Sequence, residues 1–338
     1  MAEATDFDVD TQAVIERLRT AVQRRFGARA AIGNFALATL GGSNRTLLFD
    51  LLDGSARRLV LRQETIPQDY TPFLPAAIQY RVLRVVYDHD VLVPPPLFEL
   101  EPDDDLGAGY VVGAVAGETL PKRLLNDAVF ATARARFLGQ AGAQLARIHA
   151  IDPGLLPELE AVPESGDPLA AWLGYLDRWE EPHPALELAF RWLERHRPTH
   201  TQRTLLHGDF RVGNVLVGGE GIRALLDWEC AHFGDPLEDF GWLCTRSWRF
   251  EHPERPAAGI GLRENLYRAY EAAGGRAVDR EAARWWEIFG LARWALYNVM
   301  QIYGHVSGRR RSPAFAACGR NTCLIEYDLL MTIAGRYD

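Results

Sequence analysis

Residues 205–241 read LLHGDFRVGNVLVGGEGIRALLDWECAHFGDPLEDFG, and this stretch carries most of the chain's information about its chemistry. Leu205 and Leu206 lead into a tight loop that carries Asp209, and apolar residues then flank a glycine-rich turn over residues 214–226. This pattern predicts a β-hairpin that turns at residues 218–221. The returning strand would bring Asp227 back beside Asn214, so that two oxygen donors face the same small volume.

The order and spacing of these polar residues are the layout of a phosphoryl-transfer centre. One carboxylate, Asp209, would accept or orient the proton of a hydroxyl group. The amide of Asn214 and the carboxylate of Asp227 would hold Mg²⁺ against the phosphates of ATP, because this hard cation prefers oxygen ligands. We therefore predict Asp209 as the catalytic residue and Asn214 and Asp227 as metal ligands. His207 is expected to orient the loop.

Composition narrows the class of protein. The chain has 338 residues, which is more than one hydrophobic core usually holds, so two lobes are expected. A net charge of −8 argues against a nucleic-acid partner. No apolar run reaches about 18 residues, and the acidic start MAEATDFDVDTQ is unlike a signal peptide. The four cysteines form no C-x-x-C pair. We therefore expect a cytoplasmic protein with free thiols and no membrane partner.

The first third of the chain has the pattern of a small antiparallel sheet with helices. Apolar residues at helical spacing predict an amphipathic helix over 9–26. Strands are predicted at 35–40, 46–52, 58–62 and 110–115, and a helix at 73–88. The proline-rich segment 93–96 is expected to be an extended connector.

The remainder of the chain, from Glu118 onward, is mostly helical in pattern. Helices are predicted at residues 130–150, 168–180, 184–197, 236–248, 262–274, 280–304 and 313–334. We predict a first domain over 1–115 and a second over 116–338, with a hinge at residues 116–117.

The segment with H-G-D, Asn214 and the D-W pair at 227–228 resembles the aminoglycoside phosphotransferase and choline kinase branch of the protein-kinase-like fold. It is most similar to the bacterial branch related to the kinase-like domain of some acyl-CoA dehydrogenases, and the resemblance runs from about residue 30 to the C-terminus. It implies an α+β, protein-kinase-like two-lobed fold. A small antiparallel β N-lobe would bind nucleotide, and a larger, mostly helical C-lobe would carry the catalytic loop and substrate cleft.

The resemblance also implies where the nucleotide binds. Ser43 lies in a Gly-Gly-Ser-Asn turn suited to approach phosphate oxygens. The family's basic residue on the third strand is Arg62, because Lys122, the only lysine, follows the hinge. Adenine would bond the backbone of Gly113 and Val115. A helix glutamate is expected to pair with the basic residue, and Gln79 occupies its position.

Two functions remain open at this stage. The first is an ATP- and Mg²⁺-dependent phosphotransferase acting on a hydroxyl of a small molecule. The acceptor would be a hydroxy acid or hydroxyacyl-CoA, an antibiotic, or an amino alcohol. The alternative is a weak or inactive pseudokinase that binds a nucleotide or metabolite. Gln79 and the missing lysine favour the pseudokinase, whereas the intact Asp209, Asn214 and Asp227 oppose it.

Overall fold

The computed structural model describes residues 9–38, 44–52, 54, 57–65, 71–179, 181–199 and 201–337. The chain divides into two compact units. The first comprises the described residues through Asp88 together with Val93–Ala116. The second comprises His89–Leu92 together with the described residues from Gly117 onward.

The first unit is built on a five-stranded antiparallel sheet in the order β1-β2-β3-β5-β4. Its elements are helix α1 (Val9–Phe26), strands β1 (Ala31–Leu37), β2 (Asn44–Leu52) and β3 (Arg57–Glu64), helix α2 (Ala76–Asp88), and strands β4 (Pro96–Glu99) and β5 (Gly109–Gly113). The predicted helix over 9–26 is confirmed, as are the strands predicted around 46–52 and 58–62. The predicted first strand, 35–40, instead spans Ala31–Leu37, and its residues 39–40 lie outside the described part of the chain.

Strand β4 was not predicted. The proline-rich segment 93–96 ends in this strand rather than remaining a connector throughout. Pro96 is the first residue of β4, and β4 is the edge strand of its sheet. A proline cannot donate to a ladder, but it is tolerated at the first position of an edge strand. A proline-rich segment therefore does not exclude a strand at the edge of a sheet.

The core of the first unit follows the two-residue period of its strands. Leu47, Phe49 and Leu51 alternate along β2 and are fully buried, as is Leu61 on β3. Helix α1 contributes Leu18, and all of these residues belong to one cluster of buried apolar side chains. Full burial of each such side chain stabilises the fold by about 1.5–3 kcal/mol. The alternation explains why these strands could be recognised from the sequence.

The second unit is mostly helical. Its helices are α3 (Pro121–Asn126), α4 (Ala131–His149), α5 (Pro163–Gly166), α6 (Pro168–Arg178), α7 (Pro184–Arg195), α8 (Leu237–Cys244), α9 (Arg263–Ala272), α10 (Arg280–Val306) and α11 (Pro313–Ile333). These confirm the seven predicted helices and add the short α3 and α5. The helix predicted at 236–248 ends earlier, because the backbone turns to an extended conformation at Thr245. None of the helices in the described residues is long and apolar enough to span a membrane.

Two short ladders lie among these helices. Strands β7 (Val215–Gly218) and β8 (Gly221–Leu225) form the predicted hairpin, closed by the Gly218–Gly221 pair. Strands β6 (Thr204–Leu206) and β9 (His232–Gly234) form a second antiparallel pair that the sequence did not predict. The loop between β6 and β7 carries the predicted catalytic residue, so each ladder fixes one end of it.

Candidate active site

Gly208 gives the loop between β6 and β7, the predicted catalytic loop, its tight turn. Its φ angle is +74°, in the left-handed region that side chains rarely adopt. A Cβ atom placed on Gly208 would lie 2.0 Å from the backbone oxygen of Cys230. Both the conformation and the packing therefore require glycine before Asp209.

The Asp209 carboxylate is held on both of its oxygens. Oδ2 accepts a hydrogen bond from the Asn214 amide nitrogen at 2.6 Å. Oδ1 accepts from the indole nitrogen of Trp242 at 2.7 Å and from Nε of Arg211 at 3.1 Å. The Asp209 side chain is only 15% exposed. The carboxylate is therefore fixed in one orientation near the surface of the second unit.

The hairpin brings Asn214 and the strand that precedes Asp227 together, as the sequence predicted. Leu226 donates its backbone N–H to the carbonyl oxygen of Asn214 at 2.8 Å. The side chain of Asn214 is buried, whereas Asp227 is half-buried. Asp227 has a φ angle of +61°, a conformation in which Asp and Asn are enriched among non-glycine residues.

Oxygen donors suited to Mg²⁺ are present at this hairpin. Because Nδ2 of Asn214 donates to Asp209, the amide oxygen is the atom that can bind a cation. Together with the Asp227 carboxylate it gives two oxygen ligands, and Mg²⁺ commonly takes one or two protein ligands plus substrate phosphates. Among the described residues, no cluster of three or more His, Cys, Asp and Glu side chains could hold a metal alone. The donor set therefore fits a cation that arrives with a nucleotide.

His207 orients the loop and is a poor proton carrier. Its Nδ1 accepts from the backbone N–H of Asp209 at 3.2 Å, and its Nε2 bonds the carbonyl oxygen of Leu226 at 3.0 Å. Since a carbonyl can only accept and an N–H can only donate, these two contacts define one neutral tautomer. Burial lowers the pKa of His207, although Asp239, Asp209 and Asp227 act in the opposite direction.

Asp239 supports the backbone of the catalytic loop. Its carboxylate accepts the backbone N–H of His207 at 3.0 Å and that of Gly208 at 2.9 Å. It also bonds Nε2 of His149 at 3.1 Å. Burial favours a raised pKa for Asp239, but the hydrogen bond from His149 and the nearby His207 outweigh it and leave the pKa below its ordinary value. Asp239 is therefore a structural anion at the start of helix α8.

Arg293, on helix α10, anchors the other side of the loop. Its guanidinium donates to the carbonyl oxygen of Gly208 and to Glu238 Oε1, the latter at 2.9 Å. It also lies 4.5 Å from the ring centroid of Trp242. The side chain is only 3% exposed, so its charge is paired inside the protein.

The predicted nucleotide residues belong mainly to the first unit. Arg62 on β3 donates to Thr46 Oγ1 at 3.3 Å and lies opposite Tyr110 on β5. Gln79 on α2 bonds the carbonyl oxygen of Leu74 at 2.7 Å and accepts from the Tyr110 hydroxyl at 3.3 Å. A tyrosine–glutamine contact thus stands where the resemblance implies an ion pair.

The remaining nucleotide predictions differ in how far the structure describes them. Gly113 donates its N–H to Pro95 at 2.8 Å, so its carbonyl oxygen is the group it can offer to an adenine. Val115 lies two residues further on, past the end of β5. Ser43 lies outside the described residues.

Two residues that contact the catalytic loop were missed from the sequence. Trp242 and Arg293 were not predicted as site residues. A charged residue inside the apolar run 290–296 of a long helix was the available signal for Arg293, because unpaired charges are rarely buried. No local pattern marks the indole of Trp242 as a hydrogen-bond donor to Asp209.

Known structures share this fold. A choline/ethanolamine kinase family protein from Mesorhizobium loti is 18% identical, with a TM-score of 0.63 over 94% of this chain and 95% of that chain. Spectinomycin phosphotransferase, in complex with ADP and spectinomycin, is 12% identical, with a TM-score of 0.61 over 93% of this chain and 98% of that one. The protein therefore has the kinase-like fold used by small-molecule phosphotransferases.

The family assignment follows from the sequence. Residues 36–286 match the model of the phosphotransferase enzyme family, and the chain belongs to that family. Acyl-CoA dehydrogenase family member 10 of Mus musculus is 27% identical over 218 residues, which are 60% of this chain but 19% of the relative. The chain thus spans about a fifth of the length of that curated relative. The resemblance to this family and fold, predicted from the H-G-D segment, is confirmed.

Proposed function

We propose that this protein is an ATP- and Mg²⁺-dependent phosphotransferase that acts on the hydroxyl group of a small molecule. The observation that carries the proposal is the carboxylate of Asp209, which is held on one oxygen by Asn214 and on the other by Trp242. A base fixed in this way can orient an acceptor hydroxyl and receive its proton as the phosphoryl group is transferred.

Metal binding would use the two ends of the hairpin. The amide oxygen of Asn214 and the carboxylate of Asp227 would hold Mg²⁺, which neutralises charge on the nucleotide phosphates. Asn214 would then act in two ways, because its nitrogen bonds the Asp209 carboxylate and its oxygen would bind the cation. This dual contact couples the position of the base to that of the metal.

Nucleotide binding would use the first unit. Arg62 would contact the α- and β-phosphates with its planar guanidinium, and Ser43 would contribute to the loop that covers the phosphates. The carbonyl oxygen of Gly113 and the backbone N–H of Val115 would bond adenine. The structural neighbour spectinomycin phosphotransferase, solved in complex with ADP and spectinomycin, supports a purine nucleotide as phosphate donor. We expect ATP, and a cytoplasmic location where it is abundant.

Electrostatics constrain the acceptor only weakly. Residues 230–338 contain 13 acidic residues and 14 arginines, so the C-terminal part of the chain has no acidic excess. A polycationic aminoglycoside would bind best in an acidic cleft. A hydroxy acid or hydroxyacyl-CoA, an amino alcohol and an antibiotic remain the acceptor classes to test.

The pseudokinase alternative rests on one specific observation. Gln79 bonds Leu74 and Tyr110, and being neutral it supplies no carboxylate to hold a basic phosphate ligand. Charge-assisted hydrogen bonds are roughly twice as strong as neutral ones. Arg62 would then be held less firmly, and nucleotide affinity would suffer before the chemistry does.

Turnover with candidate acceptors tests the proposal. The chain is incubated with ATP, Mg²⁺ and hydroxylated compounds from each acceptor class, and formation of ADP and phosphorylated product is measured. Asp209→Asn is the matched control. Its turnover rate should be about 10²–10⁴-fold lower, while it still binds ATP. Nucleotide binding without product from any acceptor would instead support the pseudokinase.

A further inference from the structure

The contact between Trp242 and the Asp209 carboxylate distinguishes the two carboxylate oxygens. The indole N–H of Trp242 donates to Oδ1 at 2.7 Å, across 33 positions of sequence. Trp242 lies on helix α8, three residues after Asp239, whose carboxylate supports the same loop. One short helix therefore contacts both the backbone and the carboxylate of the catalytic segment.

The ring of Trp242 has little freedom to move. It is 2% exposed, and the guanidinium of Arg293 lies 4.5 Å from its centroid. The ring of Trp248 packs edge-on at 5.3 Å. Because Arg293 also bonds the Gly208 carbonyl, the indole and the loop share an anchor. A donor locked by packing holds its partner in place at little entropic cost.

The contacts divide the two carboxylate oxygens into different roles. Oδ1 accepts from both Trp242 and Arg211, whereas Oδ2 accepts from Asn214 among the described residues. A carboxylate oxygen accepts about two hydrogen bonds, so Oδ1 is saturated and Oδ2 keeps one free direction. Indole nitrogen is a donor only, so Trp242 cannot take the proton itself.

We propose that Trp242 is a positioning residue that fixes the rotation of the Asp209 carboxylate, so that Oδ2 is the atom that receives the proton of the acceptor. The inference rests on the proposed phosphotransferase activity. Its chemical content is a hydrogen bond from Trp242 to Oδ1, with proton transfer from the acceptor hydroxyl to Oδ2 as that hydroxyl oxygen bonds the γ-phosphorus and the bond to the ADP oxygen breaks.

An isosteric replacement separates the hydrogen bond from packing. Trp242→3-benzothienylalanine exchanges the indole N–H for sulfur and keeps the bicyclic ring. Trp248→3-benzothienylalanine is the matched control, because the Trp248 N–H is buried and has no hydrogen-bond partner among the described residues. Both variants are assayed with the acceptor found in the screen, or with water as acceptor in an ATP hydrolysis assay.

The expected result is a change in kcat alone. A small misplacement of a reacting group lowers the rate by up to about 100-fold, so kcat of the Trp242 variant should be about 10- to 100-fold lower than that of the wild type. KM for ATP should change less than about twofold, because nucleotide contacts are untouched. The Trp248 variant should keep kcat within about twofold. A Trp242 variant that keeps its wild-type kcat would overturn the proposal.

A second readout does not depend on activity. The indole N–H signals of the nine tryptophans are recorded by proton–nitrogen NMR, and the Trp242 signal is the one missing from the isosteric variant. In Asp209→Ala this signal should move upfield, since its charged partner is gone, while that of Trp248 stays. An unmoved Trp242 signal refutes the contact. An inactive wild-type chain would refute the proposed function, and the NMR shift would still decide whether Trp242 holds Asp209.

Discussion

The amide nitrogen of Asn214 donates both to Oδ2 of Asp209, at 2.6 Å, and to the backbone oxygen of Asp209, at 3.0 Å. The residue that immediately precedes strand β7 is thereby tied to both the side chain and the main chain of Asp209. Any ligand that binds the Asn214 amide oxygen is held at a fixed distance from the Asp209 carboxylate.

Asp227→Asn should abolish the enhancement of nucleotide binding by Mg²⁺. The substitution removes the charge that would bind the cation, but asparagine tolerates the left-handed backbone at this position, where φ is +61°. The melting temperature should therefore change little. Calorimetric titration of ATP with and without Mg²⁺ measures the effect, and an undiminished Mg²⁺ dependence would assign the metal to other residues.

Gly208→Ala should destabilise the chain more than Gly274→Ala does. Both glycines have positive φ, +74° and +96°, so each substitution costs about 1–2 kcal/mol of backbone strain. At Gly274 an added Cβ has no neighbour within 4 Å in the described residues, whereas at Gly208 it would strike the Cys230 carbonyl oxygen. The free energy of unfolding in urea and the turnover rate are compared between the two variants. Equal effects would show that the loop backbone can shift to accommodate the added Cβ.

Asp239→Asn should lower the free energy of unfolding at neutral pH by about 3–5 kcal/mol, as loss of one member of a buried charged contact does. The pKa of Asp239 in the folded chain is below that of an ordinary aspartate. Its stabilisation is therefore complete above about pH 4 and is lost as the pH falls further. The variant should show a smaller rise in stability between acid and neutral pH.

Asp235 supplies the control for this experiment. Burial raises the pKa of Asp235, so its contribution to stability has the opposite sign: it begins to decline near about pH 4 and is lost as the pH rises through the raised pKa. The free energy of unfolding should therefore rise more steeply from acid to neutral pH in Asp235→Asn than in the wild type, whereas in Asp239→Asn it should rise less steeply. Identical pH profiles for the two variants would contradict the assignment of Asp239 as the structural anion.

Arg62→Ala should weaken ATP binding about 10- to 150-fold, since a hydrogen bond to a charged group contributes about 1.5–3 kcal/mol. Arg57→Ala is the matched control. It lies on the same strand, but the alternation of β3 directs it to the opposite face of the sheet. Fluorescence titration with ATP compares them. Equal losses of ATP affinity in the two variants would mean that the positive charge of the strand, rather than a specific phosphate contact of Arg62, supports ATP binding.

Much of the site could be predicted because its residues are close in sequence. Asp209, Asn214 and Asp227 lie within one loop and hairpin, whose glycine turn and apolar strands are local signals. The contacts of Trp242 and Arg293 with that loop span 33 and 85 positions, and they exist only because helices α8 and α10 pack beside it. Contacts between residues so far apart produce no local periodic pattern in the sequence. Strand β4 was missed for another reason, since its edge position tolerates a proline that usually argues against a strand.

The position of Arg293 bears on how this protein can be shortened for engineering. The family match ends at residue 286, a boundary at which one would naturally trim the gene. A cut there would remove Arg293, whose guanidinium bonds the Gly208 carbonyl oxygen and Glu238. Both acceptors would then be buried without this hydrogen-bond donor. The catalytic loop would lose its anchor although every motif residue survived. The boundary of the family match therefore excludes a residue that holds the loop in place.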